Sequence, residues 1–220
     1  MKLKLPKILK DFNTTFTEKG FQCYLVGGAV RNMISGRDPG DYDFATDALP
    51  EEVIKLFKRV IPTGIKHGTV TVLYHGHNFE VTTFRLDNKY SNKRHPDSVS
   101  FTPSLIEDLK RRDFTINALA CNIATGEVID PGEGISDLKM GILRSIGSPL
   151  ERFSEDSLRL LRACRFSAQL EFSIEKNTKQ AMIQCRNGIT FVSAERIRDE
   201  LVKSLDRKST RLNSSHESPS

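Results

Sequence analysis

Asp41 and Asp43 are two carboxylates separated by a single tyrosine. On a strand, an i, i+2 pair puts both carboxylates on one face, about 6–7 Å apart along the chain. Two convergent carboxylates can hold divalent cations against a triphosphate, the arrangement used for in-line phosphoryl transfer. A second feature lies upstream. Cys23 to Val26 read as a short buried strand, Gly27-Gly28 stop it, and Ala29 to Ile34 read as the start of a helix. Such a junction lets a phosphate approach the backbone closely and leaves N–H groups aimed at it. Arg31, in the first helical turn, adds a charged fork for the same anion. Taken singly, Gly-Gly marks a turn and Asp-x-Asp a surface bend. Together they make a phosphate cradle beside a metal clamp, and each needs the other.

Three further groups could join them. In Arg111-Arg112-Asp113-Phe114-Thr115-Ile116-Asn117-Ala118, Arg112 offers a fork for a phosphate, and Asp113 can accept hydrogen bonds from ribose hydroxyls. The bland alternative is a basic segment with one compensating carboxylate. Glu80 points opposite to Val81 on an expected strand. It is an exposed strand charge unless its face adjoins Asp41 and Asp43, where it becomes a third carboxylate. Further on, Ser154 reads as an N-cap, with Glu155 and Asp156 opening a helix. At about 100° per residue, Glu155, Asp156, Arg159 and Arg162 share one face of it, and Leu158, Leu160, Leu161 and Cys164 the other. A solvated face of ion pairs has the same pattern.

Periodicity gives the helices and strands that carry these groups. Lys7 to Lys19 form an amphipathic helix with Ile8, Leu9, Phe12 and Phe16 on one side. Thr46 to Glu52 is a helix start, acidic in its first turn, and the helix runs to about Val60. Thr69 to Tyr74 and Phe79 to Arg85 alternate as two strands, joined by His75 to Asn78 as a hairpin. Asp87 to Pro103 is a long polar loop containing Tyr90, Arg94, His95 and Pro96. Ala118 to Ile123 and Val128-Ile129 close a strand pair, and Asp130-Pro131 to Gly134 is a turn. Ile174 to Ile183 and Ser193 to Leu205 are amphipathic helices. Arg207 to Ser220 is polar and Ser-rich with no apolar face, is expected to be disordered, and reads as non-native sequence.

Composition narrows the class. The chain has 220 residues, 38% hydrophobic and 28% charged, enough for one sizeable domain or two small ones. A net charge of +5 leans towards a polyanionic partner, with basic clusters at Lys2 to Lys10, Lys89 to Arg94 and Lys110 to Arg112. Cys23, Cys121, Cys164 and Cys185 are scattered beside apolar patterns, as buried free thiols in a reducing compartment would be. His75 and His77 flank Gly76 and read as exposed turn residues, not zinc ligands. No apolar run approaches the roughly 20 residues that span a membrane, and no secretory h-region opens the chain.

Gly27-Gly28-Ala29-Val30-Arg31 with Gly36-Arg37 and Asp41-Tyr42-Asp43 resembles the signature of the class II tRNA nucleotidyltransferase and poly(A) polymerase family, the CCA-adding enzymes and their bacterial relatives. The resemblance continues through Arg111 to Ala118, Asp137-Leu138-Lys139, Glu155-Asp156-x-x-Arg159 and Glu195 to Glu200, covering the chain to about Leu201. It implies an α+β fold: a small nucleotidyltransferase palm at 1–145, a polymerase-β-like sheet with helices on one side, then an all-α neck at 146–206, with 207–220 outside it. It implies transfer of C and A from CTP and ATP to the 3′ end of tRNA, releasing pyrophosphate. Asp41 and Asp43, with Glu80 as a third carboxylate, would hold two Mg2+. Gly27, Gly28, Arg31, Arg112, Asp113, Asn117 and Arg162 would bind the nucleotide, and Glu155, Asp156 and Arg159 would read its base. Arg94-His95-Pro96 matches the family's active-site loop, which tilts the expectation towards addition of A as well as C. The alternatives are a poly(A) polymerase of the same family and a truncated RNA-binding module without catalysis. Family members continue into helical body and tail domains, so the chain is expected to be a fragment. The expected location is cytoplasmic, or mitochondrial in a eukaryote.

Overall fold

A computed structural model describes residues 1–87 and 99–205 of the chain. Tyr90, Arg94, His95 and Pro96 of the expected loop, and the tail 207–220, lie outside the described residues. The apolar spacing of the first helix, α1 (Lys7–Thr17), buries Leu9, Phe12 and Phe16 along one stripe. Strand β1 (Cys23–Val26) then ends at Gly27, whose φ of +68° suits a residue without a Cβ, and α2 (Gly28–Ile34) begins at once. After β2 (Asp43–Thr46), helix α3 (Pro50–Leu56) opens on a proline with Glu51 and Glu52 in its first turn. It stops four residues before Val60, because β3 (Val60–Gly64) takes up the chain as a strand instead.

The hairpin of β4 (Thr69–Tyr74) and β5 (His77–Thr83) turns on His75 and Gly76 alone, both at positive φ, the backbone that two-residue hairpins require. A second, short antiparallel pair, β6 (Arg85–Asp87) with β7 (Val99–Phe101), forms both ends of the stretch expected to be loop. Helix α4 (Leu105–Lys110) leads to a 3-10 turn at Thr115–Asn117, then β8 (Ala120–Asn122) and β9 (Val128–Ile129).

Among the described residues these strands form a seven-stranded mixed sheet, in the order β3-β4-β5-β2-β1-β8-β9. Only the central β2–β5 pair within it is parallel, with Asp43 opposite Glu80. Strand alternation sends Leu25, Phe44, Phe79 and Val81 to one face, where α1, α2 and α3 cover them. Phe12 is the hub of that layer, with ring centroids 4.7 Å from Phe44, 4.8 Å from Phe57 and 4.9 Å from Phe79. On the other face α4 packs Leu105 and Leu109 against Val26, Ala45 and Ala120, leaving the Asp43 end of that face open.

After α5 (Gly134–Met140) and β10 (Ile142–Leu143), the chain becomes helical. Helix α6 (Pro149–Glu155) is followed by α7 (Leu158–Leu170), a short β11 (Ser173–Ile174) that pairs with β10, α8 (Lys176–Cys185) and α9 (Ala194–Leu205). Phe114, Ile116 and Leu143 share one apolar cluster with Phe153, Leu160, Ala163, Phe166 and Ala181. The chemistry-bearing segment 111–118 is thus packed against α7, the helix that carries Arg159 and Arg162. Buried Asp137 fastens the same segment, accepting from Thr115 Oγ1 at 2.6 Å and from Arg144 Nε at 3.1 Å. No helix among the described residues is long and apolar enough to cross a membrane.

Candidate nucleotide-binding site

The open end of the sheet and the helices α7 and α9 enclose a cleft of about 770 Å3. Of the residues singled out in the sequence, it brings together Gly27, Gly28, Arg31, Asp43, Glu80, Arg112, Asp113, Asn117, Asp156, Arg159 and Arg162. Asp41 and Glu155 are not on its wall. Among the described residues, seven arginines and one lysine line the cleft against four carboxylates, an excess of four positive charges. A triphosphate in its fully ionised form carries a matching opposite charge.

The acidic wall is built by strand register. Asp43, the first residue of β2, lies between Val26 of β1 and Glu80 of β5. The parallel register puts Glu80 beside Asp43, so one half of the condition set for a third carboxylate is met. Asp41 differs from expectation: it precedes the strand in an exposed bend, because β2 starts only at Asp43. The pair therefore does not share a strand face by alternation. Burial, with Glu80 and Asp41 adding to it against Arg112, pushes the Asp43 carboxyl up from 3.8 to about 6. Among the described residues no three His, Cys, Asp or Glu side chains converge into a cage for an ion. A carboxylate held in a negative field, next to a phosphate-sized cationic wall, does fit Mg2+, which is commonly bound by one or two carboxylates plus substrate phosphates.

The raised carboxyl gives a signed prediction. Its folded pKa, about 6, lies above the unfolded value of 3.8. The ionised group therefore costs stability; the cost is complete above pH 6, shrinks as pH falls between the two values, and is absent below the lower one. Asp43→Asn is expected to raise thermal stability in Mg2+-free buffer at pH 8, by about 1–2 kcal/mol after allowing for partial exposure. Melting curves at pH 8 and pH 3.5 check this: the advantage should be present at the first and gone at the second.

The basic wall comes from three places. Arg31 rises from α2, whose N-terminus has no side-chain cap. Burial pushes its guanidinium down to about 10, with Asp113 opposing and the neighbouring Arg165, Arg37 and Arg162 adding to the fall. Arg111 and Arg112 are held by Asp108, a buried carboxylate three and four residues back on α4, at 2.8 Å and 3.1 Å. Burial would push Asp108 up, but the two guanidinium groups outweigh it and leave the carboxyl below its ordinary range. Arg162 projects from α7 and pairs with Asp113 at 2.6 Å. The guanidinium carbons of Arg31, Arg162 and Arg165 lie 5.4, 5.3 and 4.1 Å from the centre of the Phe166 ring.

Two expectations change here. Asp113 is 7% exposed, and its oxygens already accept from the Phe114 N–H (2.8 Å), Asn117 Nδ2 (3.1 Å) and Arg162 (Nε, 2.8 Å). With Arg162 Nη2 at 2.6 Å as well, its acceptor sites are filled by protein donors, and a ribose hydroxyl has none to use. The helix expected to start at Ser154 instead breaks there. Glu155 ends α6 and Asp156 is extended (φ −141°, ψ 101°), while its Oδ1 accepts from the Leu158 N–H at 3.1 Å to start α7. Glu155, Asp156, Arg159 and Arg162 therefore do not form one helix face. Asp156 is gripped by Arg196 of α9 at 3.2 and 2.8 Å. Arg159 donates to Glu155 Oε2 at 2.9 Å and to the backbone oxygens of Arg152 and Arg111, both at 3.0 Å. Arg85, His67 and Lys203 also line the cleft, and nothing in their sequence surroundings marks them. Asp108 was findable, since it stands i, i+3 and i, i+4 to two arginines on a helix.

Comparison with known proteins agrees with this architecture. The family described as the Poly A polymerase head domain matches residues 23–144, and the one described as the probable RNA and SrmB-binding site of polymerase A matches 171–212. A CCA-adding enzyme of Lactobacillus johnsonii is 48% identical over 196 residues, covering 89% of this chain and 48% of its own length. That of Lactobacillus delbrueckii subsp. bulgaricus is 52% identical over 186 residues, covering 84% and 47%. The chain thus spans about half the length of the curated relatives it matches. The crystal structure of the Bacillus stearothermophilus CCA-adding enzyme in complex with CTP superposes with a TM-score of 0.83 at 41% identity, over 90% of this chain and 48% of that one. The Thermotoga maritima CCA-adding enzyme complexed with tRNA gives 0.73 at 28% identity, over 92% and 48%. With its first family match alone covering more than half of its residues, this chain belongs to the Poly A polymerase head domain family.

Proposed function

We propose that the protein is a template-independent nucleotidyltransferase that adds C and A residues from CTP and ATP to the 3′ end of tRNA, releasing pyrophosphate. The observation that carries this reading is the cleft itself: a carboxylate wall at Asp43 and Glu80 faces a guanidinium wall at Arg31, Arg112 and Arg162. The relatives whose structures hold CTP or tRNA support the choice of substrates. Asp43, with Glu80 beside it and Asp41 just before its strand, would hold Mg2+, which when bound supplies Lewis-acid neutralisation of charge on the phosphates and the attacking oxygen. The chain's own residues do the rest. The Gly27–Gly28 turn lets the triphosphate approach the backbone, and Arg31 and Arg112 bind its oxygens and take up charge as pyrophosphate departs. Asp156 and Arg159, at the break between α6 and α7, face the base. The helical segment from 146 onward acts as the neck that carries them. Four free cysteines, of which Cys23 and Cys121 are buried and Cys164 is exposed, fit a reducing compartment such as the cytoplasm.

The test uses tRNA ending before CCA, with CTP and ATP offered separately and together, on this chain and on a full-length relative as control. Incorporation of C, then of A once C is in place, is the expected result. Addition of A alone to any RNA end would make it a poly(A) polymerase. RNA binding with no incorporation of either nucleotide would make it a non-catalytic module.

A further inference from the structure

We propose that Asn117 is a positioning residue: it holds Arg31 against the Gly27–Gly28 turn and links it through Asp113 to Arg162 of α7. The inference rests on the nucleotide-site reading above and assigns Asn117 a place behind the ligand, not against it. Asn117 Oδ1 accepts from Arg31 Nη1 at 2.6 Å, and Asn117 Nδ2 donates to Asp113 Oδ1 at 3.1 Å. The other oxygen of Asp113 receives Arg162. One amide therefore joins a cation to a carboxylate, and the carboxylate joins a second cation.

Only an amide of this length does both tasks. Its oxygen must face the guanidinium and its nitrogen the carboxylate, so the orientation is set by the two partners. An aspartate here would set carboxylate against carboxylate. An apolar residue would leave Asp113 and Arg31 each short of a partner in a site where Asn117 is 7% exposed.

The geometry shows what Arg31 gains. Its Nε donates to Asn32 Oδ1 at 3.1 Å and its Nη1 to Asn117, which fixes two of the three nitrogens of the fork. Its Nη2 meets no protein acceptor among the described residues, and it lies 3.7 Å from where a Cβ on Gly28 would stand. The remaining donor edge is thus presented at the Gly-Gly turn, where a phosphate oxygen would come. Crowding makes such a hold necessary, since Arg37, Arg162 and Arg165 are near enough to disfavour the charge on Arg31. The backbone supports the same arrangement: the turn bearing Asn117 is followed by Leu119, whose carbonyl accepts from the Gly27 N–H at 3.0 Å.

Binding of CTP and of cytidine to the full chain, with Mg2+ present, tests this by competition titration. Asn117→Ala is expected to weaken CTP about tenfold and cytidine less than twofold, because the effect passes through a phosphate ligand. In an Arg31→Ala background the same change should cost CTP nothing further, since the residue through which it acts is gone. Asn117→Ser, which removes the amide but leaves a smaller cavity and a polar atom, should show the same CTP-selective loss and stands in if the alanine variant melts early. Equal losses for CTP and cytidine, or an undiminished effect in the Arg31→Ala background, would overturn the inference. An unsubstituted chain that binds cytidine as well as CTP would overturn the nucleotide-site reading, and the inference with it.

Discussion

Asp43→Ala is expected to reduce addition of both C and A by about 10^2–10^3-fold with saturating Mg2+, while the protein folds normally. Asp43 contributes no apolar packing; its strand is held by backbone pairing with β1 and β5 and by Phe44 on the opposite face. What is lost is the carboxylate that places cationic charge beside the triphosphate, worth several kcal/mol in phosphoryl transfer. Asp41→Ala should act in the same direction. Primer-extension rates with each nucleotide, alongside a melting curve, measure both quantities. More than a few per cent of the unsubstituted rate in the Asp43 variant would remove it from the reaction.

The second large effect concerns nucleotide choice. On the Watson–Crick edge, cytosine and adenine each present an amino donor beside a ring-nitrogen acceptor, whereas uracil and guanine present a carbonyl beside a ring N–H. An ionised Asp156 only accepts and Arg159 only donates, so under the proposed reading they would complement C and A and oppose U and G. The structure adds that Arg196 grips Asp156 and that backbone carbonyls grip Arg159. Both side chains are therefore ordered by protein contacts, as a site that rejects by leaving polar groups unpaired requires. Asp156→Ala and Arg159→Ala are expected to lower discrimination against UTP and GTP by at least about tenfold, equivalent to 1.4 kcal/mol. Competition among all four nucleotides reads this out. Unchanged discrimination with a slower overall rate would make both residues ion-pair struts, and the base reader would lie elsewhere.

Much of this arrangement was legible in the sequence where local rules act alone. The strand–Gly-Gly–helix junction, the β4–β5 hairpin and the stripe of α1 follow from period and turn chemistry, and their boundaries moved little. The misses have specific competitors. Pro62 argues against a strand, yet β3 forms at the edge of the sheet, where a missing N–H costs no ladder bond. Ser154-Glu155-Asp156 has the composition of a helix start. The true start was Ser148-Pro149; the extended backbone of Asp156 ends that helix, and its carboxylate begins the next by accepting from the Leu158 N–H. For Asp113, type and spacing suggested a ligand contact, and only its three-dimensional neighbours show the carboxylate to be filled. Arg85 and Lys203 reach the cleft through tertiary packing, to which no one-dimensional pattern points.

The parallel pairing of β2 with β5 has an evolutionary consequence. Asp43 and Glu80 are neighbours by register, not by chain distance, and the stretch between their strands includes α3, β3 and β4. Insertions and deletions in the turns of that stretch can accumulate in a lineage without moving the two carboxylates apart, provided β5 keeps its phase. A single-residue deletion inside β5 is a different event. It would exchange the faces of the strand, swing Glu80 in among the phenylalanines and bring Phe79 out into the cleft, ending the fold and the chemistry in one step.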